Sequence, residues 1–221
     1  MTPRRVALIG TGRMGTAVET LAVAAGWEVC AAVSREFTGA QLAGADVAIE
    51  FTTPQSAVTN ILACLDAACP VVVGTTGWYD HLMDVEAAVE EAGGAVFWAP
   101  NFSIGANALM LLAASARQLL PPDRFPAAVV ETHHATKRDA PSGTANALAK
   151  GLEPGAPISS LRIGHVPGTH EVVFDGNYEQ LRLEHVVRDR RVFAEGALAA
   201  ADWLIGRHGM FTMRDLLEGK S

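Results

Sequence analysis

Residues 4–29 read RRVALIGTGRMGTAVETLAVAAGWEV, and their pattern predicts a strand, a tight turn, a helix and a second strand. An apolar run of buried-strand length, residues 6–9, leads directly into the glycines of GTGRMG. From Val18 onward, apolar residues recur at i, i+3, i+4 and i+7, the spacing of one helical face, and Gly26 suits the end of that helix. This order of elements predicts an α/β domain of the mononucleotide-binding type.

The turn has the G-x-G-x-x-G spacing of a dinucleotide-binding loop. In that loop the glycines let the backbone approach a pyrophosphate that lies at the N-terminus of the following helix. A glycine-rich turn without a ligand is the alternative, but the position between a strand and a helix favours a nucleotide. The predicted cofactor-binding residues here are Gly10, Thr11, Gly12, Arg13, Met14 and Gly15.

The end of the second strand bears on the choice of cofactor. EVCAAV is followed by Ser34, Arg35 and Glu36. An acidic residue at this place holds the ribose hydroxyls of NAD, and Glu36 suits that role. Ser34 and Arg35 suit the 2′-phosphate of NADPH instead. We therefore expect NADPH or NADH as cofactor, with a slight preference for NADPH.

Three further apolar runs each end in small polar residues: ADVAIEFTTP, PVVVGTTGW and AVFWAPNFSIGAN. In a doubly wound sheet, the loops after the carboxyl ends of the strands line the ligand crevice. We expect the backbone amides of residues 74–76 to face the nicotinamide riboside and the region of Asn101 to face the carboxamide. The further predicted cofactor-binding residues are Gly74, Thr75, Thr76, Ala99, Pro100, Asn101 and Phe102.

The second half of the chain has a different pattern. GANALMLLAASARQLL is apolar nearly all round and predicts a buried helix, and a new strand starts at about Ala127. From about residue 158, alternating runs flank Asp175-Gly176, which predicts a hairpin. AEGALAAADWLIG and TMRDLL predict two final helices. We expect a Rossmann-like dinucleotide-binding domain over residues 1–104, completed by helices in 194–221, and an α+β domain with a mixed sheet for substrate binding and oligomerisation over 105–193.

Composition narrows the class of protein. The chain has 221 residues, 49% hydrophobic and 19% charged, with a net charge of −7, which disfavours a nucleic-acid or anionic-membrane binder. Its three cysteines form no C-x-x-C pair, so a disulfide framework has little support. No apolar signal region opens the sequence, and its apolar runs are too short for a membrane span. We expect a cytoplasmic protein.

Residues 131–148, ETHHATKRDAPSGTANAL, are chemically the densest stretch. Ser142 is a good N-cap for the helix that GTANALAK predicts. The amides of Gly143 and Thr144 would then lie at a positive helix end, which can bind a carboxylate or phosphate. A plain capped helix is the alternative, and the preceding histidines and lysine favour the anion site.

His133 and His134 raise the possibility of a metal site. Adjacent histidines rarely share one metal, and no third ligand follows at a familiar spacing, although His170 and His185 are available elsewhere. We therefore predict no metal. Neighbouring side chains on an extended chain point to opposite sides, so the two histidines are expected to have different roles. Imidazole and ammonium groups near an anionic ligand suit general acid catalysis near neutral pH.

The segment E-x-H-H-x-x-K-x-D-A-P-S-G-T-A from Glu131 resembles the signature of the dihydrodipicolinate reductase family. GTGRMG, FTTP, GTTG, APNFSIGAN and the tail from His185 match the family in the same order, over nearly the whole chain. An aspartate or homoserine dehydrogenase of the same build would not carry the signature from Lys137 to Thr144. A dinucleotide-binding sensor without turnover would not need a complete set of acid and carboxylate-holding groups.

The resemblance implies hydride transfer from NAD(P)H to a cyclic imine dicarboxylate, and a homotetramer assembled through the mixed sheets. By position it implies that His133 is the acid/base residue and Lys137 the proton donor. His134 would contact the substrate, and Gly143 with Thr144 would hold a carboxylate. Arg190 matches a basic position without an assigned role. One departure is the short segment between AAVS and FTTP, which implies that the first sheet lacks a unit on the adenine side.

Overall fold

The structure is a computed structural model that describes residues 3–34, 37–42 and 44–219. Its contacts divide the chain into two compact units. The first contains Met1–Phe102 and Arg191–Ser221, and the second contains Ser103–Arg190.

The first unit is a parallel sheet covered by helices. Its strands are β1 (Arg5–Ile9), β2 (Glu28–Val33), β3 (Val47–Glu50), β4 (Val71–Val73), β5 (Ala95–Trp98) and β10 (Gly209–Phe211). Its helices are α1 (Arg13–Ala24), α2 (Pro54–Asp66), α3 (Leu82–Ala92), α6 (Arg191–Leu204) and α7 (Met213–Glu218). The strand order is β10-β5-β4-β3-β1-β2, and all pairs are parallel. This confirms the predicted Rossmann-like domain.

Two apolar cores form on opposite faces of this sheet because successive strand side chains alternate. In β1, Val6 and Leu8 join the core under α1 and α6, whereas Ala7 and Ile9 join the core under α2 and α3. The central strands β3 and β4 are buried throughout, as expected for parallel strands covered on both sides.

One edge of this sheet agrees with the sequence-based prediction, and the other edge holds a strand that was not predicted. β2 is the edge strand on one side, and only a 3-10 turn at Gly39–Leu42 follows it before β3 in the described chain. This agrees with the expected missing unit. At the other edge, β10 pairs with β5. The sequence did not predict β10, because three residues are too few to show a periodicity.

The second unit is a mixed sheet with helices on one face. It contains α4 (Ile104–Leu119), β6 (Ala127–His133), α5 (Gly143–Leu152), β7 (Ile158–Arg162), β8 (Thr169–Asp175) and β9 (Gln180–Val186). The strand order is β7-β6-β8-β9, with β6 and β7 parallel and the other pairs antiparallel. The predicted mixed sheet is confirmed.

Two local expectations need correction. α4 was expected to be buried all round, but Leu112 and Leu119 are exposed, because this helix packs through the face of Ala106, Leu109 and Ala113. The predicted hairpin between β8 and β9 is present, but residues 176–179 connect its strands, so Asp175 belongs to the strand rather than to a two-residue turn.

Two further properties complete the fold. Among the described residues, no helix combines the length and apolar character needed to cross a bilayer. Cys64 and Cys69 are buried and unbridged, and burial raises the pKa of the Cys69 thiol to about 12.

Candidate active site

The first unit has a crevice of about 580 Å³ at the carboxyl ends of β1, β2 and β3. This is where doubly wound sheets bind nucleotides. The lining residues come from three strand ends and the first turns of α2: Ile9, Gly10, Thr11, Gly12, Val33, Ser34, Phe37, Phe51, Thr52, Thr53, Ser56 and Asn60. Of the predicted cofactor residues, Gly10, Thr11, Gly12 and Ser34 lie in this lining.

Each of the three glycines of the predicted loop is explained by a different feature of its surroundings. Gly10 has a φ of +104°, and a Cβ there would lie 2.0 Å from the carbonyl oxygen of Phe51. A Cβ on Gly15 would lie 1.9 Å from the carbonyl oxygen of Gly10, so this glycine lets α1 approach the strand end. A Cβ on Gly12 would contact nothing within 4 Å. Gly12 is the N-cap of α1, and the open space beside it suits an approaching phosphate. Arg13 and Met14 form the first turn of α1.

Gly74, Thr75 and Thr76 follow β4; the first two are held by internal hydrogen bonds, and Thr76 is exposed. The amide of Gly74 donates to the carbonyl of Glu50. That the amides of residues 74–76 face the nicotinamide riboside stays a prediction. The hydroxyl of Thr75 accepts from the amide of Thr52 at 2.7 Å, and its carbonyl accepts from Trp78 Nε1. These bonds fix the loop after β4 against the loop after β3.

Residues 99–102 follow β5 and divide between core and surface. Ala99 and Phe102 are buried in the core, where the Phe102 ring lies 6.0 Å from that of Phe51. Pro100 is exposed and Asn101 is half-buried. Only the latter two side chains are therefore open to a ligand of this unit.

The sequence did not predict the polar residues behind the crevice. Glu50 is fully buried, and its Oε1 accepts hydrogen bonds from Thr52 Oγ1 and Asn60 Nδ2. Burial raises the pKa of Glu50, and these hydrogen bonds lower it in part. The FTTP motif was the available signal, because its two threonines follow β3. Arg35, which was predicted with Ser34, lies outside the described residues.

In the second unit, a row of polar side chains crosses the sheet on the face covered by α5. Strand pairing sets Glu131 of β6 opposite Ser160 of β7 and His170 of β8, and sets His170 opposite His185 of β9. One step further along, His133 pairs with Arg162. Glu131, His133 and His170 are buried. The register of the four strands therefore assembles ionisable groups from distant parts of the sequence.

Glu131 is the centre of this row. Its Oε1 accepts from the amide of Ser142 at 3.0 Å, from Ser160 Oγ at 2.7 Å and from Arg162 Nη2 at 2.7 Å. Burial raises the pKa of the carboxyl, but the hydrogen bonds from Ser142, Arg162 and Ser160 outweigh it and lower the pKa to about 2. Glu131 is therefore a carboxylate at neutral pH.

His133 lies beside the second oxygen of this carboxylate. Its Nδ1 is 3.2 Å from Glu131 Oε2, and its ring meets that of His170 edge to face at 5.1 Å. Burial lowers the pKa of His133, and the charge of Glu131 opposes that effect. His133 is thus a neutral imidazole with an anionic neighbour, which is an arrangement that can take up and release a proton.

The loop after β6 carries the other predicted groups. Lys137 Nζ lies 2.8 Å from Asp139 Oδ1. His134 Nδ1 lies 2.8 Å from Thr136 Oγ1, and His134 is half-buried whereas His133 is buried. The two histidines differ in burial, and their separate roles stay a prediction.

α5 begins at the predicted position. The hydroxyl of Ser142 accepts from the amide of Ala145 at 3.2 Å, which confirms the N-cap. Gly143 is exposed, and a Cβ there would meet no atom within 4 Å. The first turn of a helix leaves amide donors without intrahelical partners, so the start of α5 at Gly143 and Thr144 suits an anion.

Three residues of the polar row also have the composition of a metal site. One ligand atom each from Glu131, His133 and His170 lie within 4.8 Å of one another. The guanidinium of Arg162 already supplies a positive charge to the same carboxylate. This pairing favours a hydrogen-bonded network over a cation at these three residues.

Family models match almost the whole chain. The model described as dihydrodipicolinate reductase, N-terminus, matches residues 4–102, and that described as dihydrodipicolinate reductase, C-terminus, matches residues 105–217. Two relatives are named 4-hydroxy-tetrahydrodipicolinate reductase. The protein from Christiangramia forsetii is 32% identical, with 96% of this chain and 97% of the relative covered. The protein from Acidiphilium cryptum is 34% identical, with the same coverage.

Solved structures agree at the level of the fold. A dipicolinate-bound dihydrodipicolinate reductase from Paenisporosarcina sp. TG-14 superposes with a TM-score of 0.82 at 23% identity, covering 96% of this chain and 98% of the other. An aspartate dehydrogenase from Thermotoga maritima reaches only 0.54 at 10% identity, covering 90% and 95%. With both halves of the sequence matched and the glycine loop, the histidine pair and the capped helix start all in place, the chain belongs to the dihydrodipicolinate reductase family.

Proposed function

We propose that this protein catalyses the NAD(P)H-dependent reduction of 4-hydroxy-tetrahydrodipicolinate to tetrahydrodipicolinate, in lysine and diaminopimelate biosynthesis. Membership of the family and the names of the relatives support this activity. The observation that carries it is the segment from His133 to Thr144. It joins a buried imidazole, an ammonium group and a helix N-terminus within one connection between β6 and α5.

We propose that His133 and Lys137 supply protons. Hydride addition beside a ring nitrogen builds negative charge there, and a nearby acid lowers that barrier. Lys137 is held by a single, partly exposed ion pair with Asp139, so an incoming anion can compete for its ammonium group. The His133 side chain is largely shielded from solvent and lies beside the Glu131 carboxylate.

The carboxylates of the substrate are assigned to the start of α5 and to His134. Gly143 leaves open space at the helix N-terminus, and the helix dipole favours an anion there. Thr144 lies in the same turn. His134, which directly follows β6, is proposed to contact the substrate.

The crevice of the first unit is proposed to hold the cofactor. Its open Gly12 at the α1 N-terminus fits a pyrophosphate, and Ser34 lies in the lining near the end of β2. Bound NAD(P)H supplies the hydride. The slight preference for NADPH rests on Ser34 and Arg35.

The division of labour and the assembly are proposals as well. We assign cofactor binding to residues 1–104 with 194–221, and substrate binding and oligomerisation to residues 105–193. The face of the second sheet away from α5 exposes Leu161 and Val186, which occupy one row across the strands. Exposed apolar sheet surface supports a homotetramer that buries it.

The test is a coupled assay in which a synthase generates the substrate, and the oxidation of NADPH and NADH is followed separately. Substrate-dependent oxidation of either cofactor is expected, with a modestly higher kcat/KM for NADPH. Absence of substrate-dependent oxidation with both cofactors would refute the activity. Equal kcat/KM values would refute only the preference.

A further inference from the structure

The two oxygens of the Glu131 carboxylate have different partners. Three donors converge on Oε1: the amide of Ser142, the hydroxyl of Ser160 and the guanidinium of Arg162. Oε2 is buried and accepts from none of these donors. A buried anionic oxygen without a donor is costly, so Oε2 requires a proton donor close by.

Two imidazole nitrogens lie near Oε2, and their distances differ. His133 Nδ1 is at 3.2 Å, and like Oε2 it is buried and makes no hydrogen bond in the described chain. His170 Nε2 is at 3.7 Å, beyond hydrogen-bond distance, and has Ser142 Oγ at 3.2 Å instead. Of the two imidazoles, His133 therefore lies nearer to Oε2 and has no competing acceptor at Nδ1.

The opposite edge of the His133 ring is kept open by a glycine. A Cβ on Gly168 would lie 3.2 Å from His133 Nε2, so any larger residue would crowd that nitrogen. The side chain of His133 retains 10% of its surface exposed, although Nδ1 is buried. Nε2 is thus the nitrogen that can reach a ligand.

We propose that Glu131 is a positioning residue that fixes the proton of His133 on Nδ1 and so presents Nε2 for proton transfer. This role rests on the proposed function, in which His133 is the acid/base residue. When His133 acts as an acid, its ring first takes up a proton from solvent at Nε2. The Nε2–H bond then breaks, the proton passes to the substrate, and the ring returns to the neutral form with its proton on Nδ1. A carboxylate that orients a histidine in this manner also stabilises the charged form of the ring.

The same carboxylate holds the start of α5. Because Oε1 accepts from the amide of Ser142, and Ser142 caps α5, one side chain connects the acid/base group to the helix end assigned to a substrate carboxylate. Displacing Glu131 would therefore disturb both the proton donor and the anion site.

Glu131→Gln gives a sharp test because the surrounding donors fix the orientation of the glutamine amide group. The three donors at Oε1 require the amide oxygen of the glutamine at that place, so the NH₂ group must face His133 Nδ1. An NH₂ group is a donor, and Nδ1 must then become an acceptor. The substitution is expected to move the ring proton of His133 from Nδ1 to Nε2.

The experiment is ¹⁵N NMR of histidine-labelled protein, without substrate or cofactor, at about pH 8, where an ordinary imidazole is neutral. His133→Asn identifies the resonances of His133. We expect Nδ1–H in the wild type, Nε2–H in Glu131→Gln, and no change in Glu171→Gln. Glu171 is the matched control, since it lies on β8 directly opposite Val130 and pairs with the surface residue Arg182.

A proton on Nε2 in the wild type would overturn the proposal, as would an unchanged tautomer in a folded Glu131→Gln variant. The wild-type spectrum decides the matter even if the variant does not fold. This readout needs no turnover, so failure of the proposed activity and failure of the positioning role are separate results.

Kinetics provide the second readout. kcat of Glu131→Gln is expected to fall by about 10- to 100-fold, and the alkaline limb of its pH profile, where the acid loses its proton, is expected to move to lower pH. The charged groups that act on His133 are Glu131, Lys137, Arg162 and Asp139, beside the ring of His170. Removal of the carboxylate leaves mainly positive charges, which disfavour the imidazolium. An unshifted profile would contradict the role.

Discussion

At the scale of single residues, Lys137 and His133 differ in how firmly the protein holds them. The Lys137 side chain is 23% exposed and pairs with Asp139, which is 57% exposed. Exposed ion pairs are weak, so this one can be exchanged for a ligand carboxylate at little cost. His133 belongs to a buried network that a ligand does not replace. Lys137 is thus the more adaptable of the two proposed proton donors.

Lys137→Ala is predicted to lower kcat by about 100-fold or more while leaving the Kd for NAD(P)H near normal, because it removes a proposed proton donor and no group that is proposed to bind the cofactor. Steady-state kinetics and a cofactor titration measure both quantities. Lys150→Ala, in the last turn of α5, is the matched control. Turnover of Lys137→Ala at the wild-type rate would exclude the lysine as proton donor.

His170 makes stability depend on pH. Burial, followed by the charge of His133, lowers its pKa to about 4 from the ordinary 6.5. Between these values the unfolded chain binds a proton that the folded chain does not. The free energy of unfolding should therefore decrease as the pH falls from about 6.5 to about 4, by up to about 3 kcal/mol.

Urea denaturation across this pH range measures the effect. His170→Asn should reduce the slope, whereas His165→Asn, in an exposed loop, should keep it. Equal slopes in the wild type and His170→Asn would show that His170 does not carry the pH dependence.

At the scale of elements, two glycines of the β1–α1 turn have different roles. Gly15 is needed for stability, and Gly12 is expected to be needed for cofactor binding. Gly15→Ala is predicted to destabilise the protein by about 1–3 kcal/mol, because its Cβ would overlap the backbone of Gly10. Gly12→Ala should leave the Tm nearly unchanged, since its Cβ meets no protein atom, but should weaken NAD(P)H binding at least about tenfold. Thermal denaturation and fluorescence titration distinguish the two. Unaltered affinity in Gly12→Ala would place the pyrophosphate elsewhere.

Local signals were enough to predict much of this architecture. The β1–α1 turn and the Ser142 cap depend on residues close in sequence, and both are present. The row of Ser160, Glu131 and His170 was not predicted, because it depends on the register between strands that are distant in sequence. The internal bond of the Gly74 amide was missed for the same reason, since its acceptor belongs to β3.

At the scale of the whole molecule, the second unit has exposed apolar side chains on its sheet. The outer face of the second sheet carries Leu161 and Val186, each about half exposed. If this face is the subunit interface, Leu161→Glu combined with Val186→Glu should convert the proposed tetramer into smaller species. Light scattering after size exclusion measures the mass. Met83→Glu, exposed on α3 of the first unit, should leave the mass unchanged, and an intact tetramer in the double variant would exclude this interface.

The second sheet is apolar along one half of its covered face and ionisable along the other. Val129 and Val172 pair in the apolar half, and Glu131 and His170 pair two residues further along. A slip of one residue between β6 and β8 would turn both pairs to the wrong side of the sheet. Misfolded molecules of this kind would lose their core and their chemistry together. The specific activity regained after refolding should therefore count correctly registered molecules, which makes a simple rate assay a measure of folding fidelity.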